Sequence, residues 1–336
     1  MIAARGVLLA AVCVAAAGLH AEEWTRFHAE NGLPGDEVQF LREDAAGAVW
    51  IGCNAGLARF AQGKLETVYK GPTVYDVVEL GAERLCLGTS DGVVLLNKQA
   101  KSAGLNGHLV APVVKLNEET LWAIAKDRRT EQNKLVQSKG GEKWEGVEAY
   151  AEKKVVDLFR TRQGRLWVAL DGNGLLEVDP AKPEATPKAH LQGENVQTLF
   201  ETRDGRPWAG LRSGGLRVFD GKQWAVHLPK EKSSIFAIQE DAKGQLWAAT
   251  SGSGLLQFDG QNWTTHFAEA GYVNVVAAFS DGSVWAFPQD GEGLSAWKDG
   301  KWTTVFKSSL PVRCLLETRA GKVWIGGVLD GVHLRN

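Results

Sequence analysis

Cysteine is scarce in this chain, with 4 residues among 336. Cys13 lies in an N-terminal apolar segment, and the others are Cys53, Cys86 and Cys314. The last three are an odd and sparse set, which argues against a disulfide framework. None of them is in a C-x-x-C pair, which argues against a zinc site. Each of the last three replaces an apolar residue in a strand-like segment, which predicts buried structural thiols. A single Cys53–Cys86 bridge between neighbouring repeats is the alternative.

The sequence also lacks an excess of charge of either sign. Lysine and arginine total 38, aspartate and glutamate total 40, and the two signs are mixed along the chain. A protein that binds a phosphate backbone needs a basic stripe. No nucleic-acid partner is therefore expected.

Long hydrophobic runs are missing except at the N-terminus. Gly6 to Leu19 is apolar over about 14 residues, which is too short to span a bilayer. The run follows Arg5 and precedes Ala21, an arrangement typical of a secretory signal peptide. We therefore expect a signal peptide over residues 1–21, a single domain over residues 22–336, and no membrane span after cleavage. An uncleaved anchor is the alternative.

Glycine and tryptophan, in contrast, are abundant, with 39 and 13 residues. Their regular spacing predicts short strands joined by tight turns. The clearest copy of the repeat spans residues 235–263, with an aromatic second strand at Trp247, a Gly-rich turn ending at Gly254 and a hairpin turn at Asp259-Gly260. A period of about 39 residues indicates a repeat architecture.

With this copy included, the same frame fits the chain eight times. The second strand carries tryptophan in every copy except the second, where Cys86 takes its place. The sequence thus predicts an all-β propeller of eight four-stranded blades, with seven blades as the alternative. The first strands are expected to begin near Val38, Val74, Val113, Val155, Val196, Ile235, Val273 and Val312.

The two ends of the chain complement each other. The last repeat stops after its third strand, at Asn336, whereas Trp24-Thr-Arg-Phe-His28 resembles the fourth strands of other repeats. We therefore expect the N-terminal strand to complete the last blade. A ring closed in this way leaves no free sheet edge.

The repeat resembles that of the two-component regulator propeller family. Asp-x-x-Gly-x-(Leu/Val)-Trp, a Gly-rich turn, Gly-Leu and Phe-Asp-Gly recur, for example at Asp44 to Trp50 and at Asp241 to Trp247. The resemblance implies a bacterial sensor propeller, periplasmic or secreted, and glycan sensing in some relatives. Members usually have seven blades joined to a histidine kinase. This chain ends inside its last blade, so a stand-alone propeller with a separate partner is expected.

Charged residues on the first strands suggest a ligand site. Asp76, Lys115 and Asp157 are each placed third in a first strand, where the other repeats are mostly apolar, and they could converge at one sector of the channel mouth. The second-to-third-strand turn residues Arg128, Asp171 and Arg212 would extend this polar sector. A solvated channel with internal ion pairs is the alternative. The pair Asp76 and Asp157 also suggests glycoside hydrolysis.

These patterns together favour a non-enzymatic propeller that binds a ligand, such as a glycan, or a protein partner. Binding would use the face formed by the blade-linking loops and the second-to-third-strand turns. Catalytic residues and a cofactor are not expected. A metal site is not expected either, because acidic turns such as Asp171-Gly-Asn173 offer too few oxygens for calcium. An extracytoplasmic lyase or glycoside hydrolase and a cell-envelope scaffold are the alternatives.

Overall fold

The computed structural model describes residues 24–335 except 82, 83, 98, 184, 229–231 and 290. These residues form eight four-stranded antiparallel sheets and contain no α-helix. The predicted all-β propeller with eight blades is therefore confirmed. The predicted signal peptide over residues 1–21 lies outside the described residues.

Blades 1 to 4 follow one another along the chain after a short N-terminal strand, and each runs from the channel outwards in chain order. The strands are β1 (Thr25–Phe27); β2 (Val38–Glu43), β3 (Val49–Cys53), β4 (Gly56–Ala61) and β5 (Lys64–Lys70) in blade 1; β6 (Val74–Glu79), β7 (Leu85–Thr89), β8 (Gly92–Asn97) and β9 (Gln99–Ser102) in blade 2; β10 (His108–Lys115), β11 (Thr120–Asp127), β12 (Asn133–Lys139) and β13 (Glu145–Gly146) in blade 3; and β14 (Val155–Arg160), β15 (Leu166–Leu170), β16 (Leu175–Val178) and β17 (Lys188–His190) in blade 4.

Blades 5 to 8 repeat the same order, and three single-turn 3₁₀ helices lie at Ala29–Asn31, Glu148–Tyr150 and Ala268–Ala270. The strands are β18 (Val196–Glu201), β19 (Pro207–Leu211), β20 (Leu216–Phe219) and β21 (Trp224–Leu228) in blade 5; β22 (Ile235–Glu240), β23 (Leu246–Thr250), β24 (Leu255–Phe258) and β25 (Trp263–His266) in blade 6; β26 (Val273–Ala278), β27 (Val284–Pro288), β28 (Gly293–Lys298) and β29 (Lys301–Lys307) in blade 7; and β30 (Val312–Glu317), β31 (Val323–Gly327) and β32 (Val332–Arg335) in blade 8.

The N-terminal strand closes the ring. β1 pairs antiparallel with β32, so that Thr25 lies opposite Leu334 and Phe27 opposite Val332. Blade 8 thereby gains its fourth strand, and its innermost strand lies beside that of blade 1. The expectation that the first strand completes the last blade is confirmed.

The core is divided among the eight interfaces between blades. Each apolar cluster joins the second-strand aromatic residue of one blade to the inner strands of the next, and Cys86 takes this place in blade 2. Trp122, Trp167, Trp247 and Trp324 are fully buried. Burying an indole of roughly 200 Å² contributes on the order of 5 kcal/mol. The recurring tryptophan is thus explained by blade packing.

Blade 3 departs from the predicted frame. Its first strand begins at His108, and the pairing with β11 shifts between Val110 and Val113. Pro112 lies at the shift and has no N–H for the ladder, so an irregularity there is expected. The prediction that this strand begins at Val113 is therefore wrong. Lys115 is its last residue, paired with Leu121, and not its third.

The three cysteines among the described residues are free thiols. Cys53 and Cys86 are buried and Cys314 is partly buried, and none of them forms a disulfide. Burial raises the pKa of each thiol to about 12. The alternative of a Cys53–Cys86 bridge is therefore excluded.

Trp297, which stands outside the regular tryptophan positions, also packs inside the fold. Its ring lies 4.8 Å from His266 and 5.4 Å from Trp302. Nε1 of Trp302 donates to Nδ1 of His266 at 3.2 Å, and burial lowers the pKa of that histidine. The outer strands of blades 6 and 7 are joined by this aromatic box.

Candidate functional site

The propeller has two faces that differ in the segments exposed on them. The blade-linking segments and the second-to-third-strand turns share one face, here called the upper face; the first-to-second-strand turns lie on the lower face. Arg128, Asp171 and Arg212 are exposed on upper-face turns of three successive blades. Among the described residues these three form no ion pair with one another. Nε of Arg212 lies 3.5 Å from Oε1 of Gln197.

Asp76 holds three blades together. Its Oδ1 accepts hydrogen bonds from the Val77 N–H at 2.8 Å and from Nη2 of Arg42 in blade 1 at 2.7 Å. Its Oδ2 accepts one from the N–H of Val113 in blade 3 at 2.9 Å. The side chain is only 9% exposed. This carboxylate therefore serves the internal ion-pair role that the sequence left open as the alternative.

Asp157 occupies the same register in blade 4 but lacks these partners. It pairs with Ala169 as Asp76 pairs with Gly88. Oδ1 accepts one hydrogen bond, from the Leu158 N–H at 2.8 Å, and Oδ2 accepts none from the described residues. Burial raises the pKa of Asp157 to about 6. It is thus a titratable group on the channel wall.

Lys115 lies at the opposite end of its strand from the upper face. Its Nζ is 2.7 Å from Oε2 of Glu118 in the following lower-face turn. The strand from His108 to Lys115 separates it from Arg128. The predicted sector is consequently split: Lys115 belongs to the lower channel mouth, whereas Arg128, Asp171 and Arg212 lie on the upper face.

Arginine clamps seal three interfaces on the lower face. Each clamp uses an arginine two residues after a first strand and a glutamate at the end of the next blade's first strand. The backbone N–H and Nε of Arg162 lie 2.7 and 3.2 Å from Oε2 of Glu201, and Nη2 donates to the Thr202 carbonyl. Equivalent clamps join Arg203 to Glu240 and Arg319 to Glu43.

The clamped glutamates are nearly buried. Their side chains are 6% exposed at Glu201 and 12% exposed at both Glu240 and Glu43. A fourth interface is closed by a serine, since the Ser280 N–H and Oγ each lie 2.6 Å from the carboxylate of Glu317.

The interface between blades 1 and 2 has the glutamate but not the arginine. Glu79 pairs with Leu85 just as Glu201 pairs with Pro207, so the two glutamates are equivalent. Ala45 occupies the position of the clamping arginine. Glu79 is exposed, and its only described donor is Nε1 of Trp50, at 3.3 Å.

A cavity of about 750 Å³ opens where the clamp is missing. It is continuous with a second cavity of about 440 Å³ at the lower channel mouth, because the two share Asp44, Ala45, Trp50 and Glu79. We call the larger cavity the blade 1–2 groove. It is lined by Asp44, Ala45, Ala46, Trp50, Arg59, Glu66, Val68, Glu79, Gly81, Arg84, Leu85 and Leu96.

The charges of the blade 1–2 groove are only partly compensated. Nη2 of Arg59 lies 3.1 Å from Oδ2 of Asp44. Burial raises the pKa of Asp44, but hydrogen bonds from the Ala48 N–H and Arg59 outweigh it and hold this pKa below its usual value. Arg84 donates to the Gly140 carbonyl at 3.0 Å. Glu66 and Glu79 remain exposed and without an ion pair among the described residues.

The sequence did not predict this groove, because the prediction relied on unusual residues in the first strands and not on a missing side chain in a turn. A usable signal was present. Five first strands end in glutamate. In four of these cases the preceding blade has an arginine or a serine at the turn position that contacts the glutamate, and in the fifth it has Ala45.

The described residues contain no group of three or more histidine, cysteine, aspartate or glutamate side chains placed to hold a metal ion. Asp290, part of one acidic turn, lies outside them. Nor does the described part of the chain include a helix of the length and apolar character needed to cross a bilayer.

No protein-family model matches the chain, and no curated protein matches it by sequence. Solved structures match by fold. The extracellular domain of a hybrid two component system from B. thetaiotaomicron superposes with a TM-score of 0.59 at 17% identity, over 94% of this chain and 40% of that domain. Virginiamycin B lyase from Staphylococcus aureus gives 0.58 at 10% identity, over 93% and 98%. YCF48 bound to a D1 peptide gives 0.56 at 15% identity, over 93% and 94%.

These likenesses establish the fold. The resemblance to two-component sensor propellers is confirmed at that level. The chain spans about half the length of such domains, 40% of the one above and 53% of a second extracellular domain of a hybrid two component system from B. thetaiotaomicron. The three proteins named have different roles, so a shared propeller does not by itself assign one.

Proposed function

We propose that this chain is an exported, non-enzymatic propeller, in a bacterial periplasm or secreted, that binds a ligand or protein partner as a sensor-type component. The observation that carries the proposal is the blade 1–2 groove. It is a cavity of about 750 Å³ lined by the exposed carboxylate of Glu79. The three equivalent glutamates at other interfaces form ion pairs with arginines of the preceding blades. Concave sites of this size, in which placed polar groups fix the orientation of a ligand, are typical of ligand sites.

A groove-blocking variant tests the location of the site. The mature chain, residues 22–336, is screened by thermal shift against oligosaccharides and short peptides. Ala46→Trp places an indole in the groove from an exposed turn position, and we expect it to abolish the shift. Ala320→Trp is the matched control, since Ala320 holds the same turn position in blade 8 and does not line the groove. A shift that survives Ala46→Trp contradicts the proposal.

The enzymatic alternative has one specific observation in its favour, which is Asp157. A carboxyl group with a pKa raised to about 6 by burial is suited to general acid–base work. The predicted glycosidase pair is less favourable, because both oxygens of Asp76 already accept hydrogen bonds. If the wild-type chain turns over a compound that it binds, and Asp157→Asn does not, the lyase or hydrolase alternative replaces the proposal.

A further inference from the structure

The lower face contains three filled sockets for a guanidinium group. In each, an arginine donates to a glutamate carboxylate of the next blade and to the carbonyl one residue beyond that glutamate. The carbonyl acceptors are those of Thr202, Asp241 and Asp44. Carboxylate and carbonyl together match the fork of N–H donors that arginine presents and lysine does not.

The blade 1–2 interface retains the acceptor half of this socket. Glu79 ends its strand in the register of Glu201, and its Oε2 accepts no hydrogen bond from the described residues. The methyl group of Ala45 leaves open the space that a clamping side chain fills elsewhere. Both residues line the blade 1–2 groove.

Charge in the groove favours a cation as the occupant. The two arginines of its wall are engaged, Arg59 by Asp44 and Arg84 by the Gly140 carbonyl. Three carboxylates face these two cations, which leaves a formal charge of −1 (2 − 3) among the lining residues. The volume of about 750 Å³ exceeds that of one side chain, and Val68 and Leu96 offer apolar contacts beyond the carboxylate. A polypeptide segment fits this combination of an anionic anchor and an apolar wall.

We propose that the blade 1–2 groove binds an arginine side chain of a partner polypeptide, with Glu79 as its acceptor, in the place that Arg162, Arg203 and Arg319 occupy within their own interfaces. This inference rests on the proposed function and specifies its partner. The recognised chemistry is a guanidinium group on a peptide, supplied in trans because Ala45 does not supply it in cis.

The probe is acetyl-Gly-Arg-Gly-amide, titrated into the mature chain by calorimetry at low salt, beside the same peptide with citrulline or lysine in place of arginine. We expect the arginine peptide to bind, the lysine peptide to bind several-fold more weakly, and the neutral citrulline peptide not to bind. Glu79→Gln should weaken arginine-peptide binding at least tenfold. Ala45→Arg should abolish it, because the introduced side chain fills the socket.

Ala242→Arg is the matched control. It adds the same charge at the same turn position in blade 6, where the next blade ends its first strand with Ala278 in place of the glutamate. Binding should be unchanged in this variant. Equal binding of the citrulline peptide, unchanged binding in Glu79→Gln, or no binding of the arginine peptide at millimolar concentration would each overturn the inference. If the arginine inference fails but a glycan or another peptide binds the wild-type chain and not Ala46→Trp, the proposed function still holds.

Discussion

Blade 1 has two neighbours, and its two interfaces differ sharply. Towards blade 8, Trp324 is fully buried and Arg319 clamps Glu43. Towards blade 2, Trp50 is 7% exposed, Ala45 replaces the clamping arginine, and a cavity of about 750 Å³ lies between the blades. The same strand plan thus gives a sealed interface on one side and a groove on the other. One missing side chain in a repeat can create a candidate site without changing the fold.

The largest expected effect comes from removing the tryptophan of each interface. Trp324→Ala should lower the free energy of unfolding by about 4 kcal/mol, because a fully buried indole leaves a cavity that its neighbours cannot fill. Trp50→Ala should cost about 3 kcal/mol, since its ring already borders an open space and its only described hydrogen bond is a long one, 3.3 Å to Glu79. Urea unfolding of both variants measures the difference.

Val226→Ala, at a site 59% exposed on the outer strand of blade 5, is the control and should change stability little. An equal or larger loss for Trp50→Ala would show that the two interfaces are packed alike.

A second comparison sets Asp76 against Asp157, two carboxylates in one register. Asp76→Asn should lower the free energy of unfolding by about 2 kcal/mol, because Arg42 and the Val113 N–H lose a charged acceptor. The loss is smaller than for a fully buried ion pair, because the Arg42 side chain is half-exposed. Asp157→Asn should stabilise the protein at pH 7.5 by about 1 kcal/mol, because no cation offsets the cost of burying the ionised carboxylate.

The raised pKa of Asp157 determines how the stabilisation by Asp157→Asn changes with pH. Burial raises its pKa from 3.8 to about 6, so the folded state holds the proton more tightly than the unfolded state. Its contribution to stability is therefore full below pH 4 and is lost as pH rises to about 6. The advantage of Asp157→Asn should be small at pH 4 and reach its plateau above pH 6. A pH-independent difference in urea unfolding between variant and wild type would contradict this assignment.

The fold could be predicted almost completely from the sequence, because Trp247 and its equivalents repeat for a packing reason. The exception was blade 3, where Pro112 moves the strand start from Val113 to His108 and Lys115 out of the predicted sector. Asp76 was singled out from its position in the first strand. Its three donors come from three blades, and a single sequence does not reveal such distant contacts.

The blade 1–2 groove was harder to predict for a different reason. It arises from what Ala45 lacks, and a small residue in a turn attracts no attention unless its equivalents are aligned. Arg162, Arg203 and Arg319 supply that alignment, but only the structure shows that each reaches a glutamate of the next blade. Departures from a repeat are informative when the repeated residue has a known contact.

The smallest expected effect comes from closing the groove. Ala45→Arg should raise the free energy of unfolding by about 0.5 kcal/mol, since it completes a partly exposed clamp to Glu79, and such pairs contribute little. Ala242→Arg faces Ala278 and should contribute nothing. For a chain of this size the difference corresponds to a rise in Tm of about 0.7 °C, which scanning calorimetry can resolve. The gain should disappear in Ala45→Arg combined with Glu79→Gln, and again in high salt, because both remove the attraction between the two side chains. Equal melting temperatures of Ala45→Arg and Ala242→Arg would mean that Glu79 is not poised to receive a guanidinium, and that the two interfaces of blade 1 differ in packing alone.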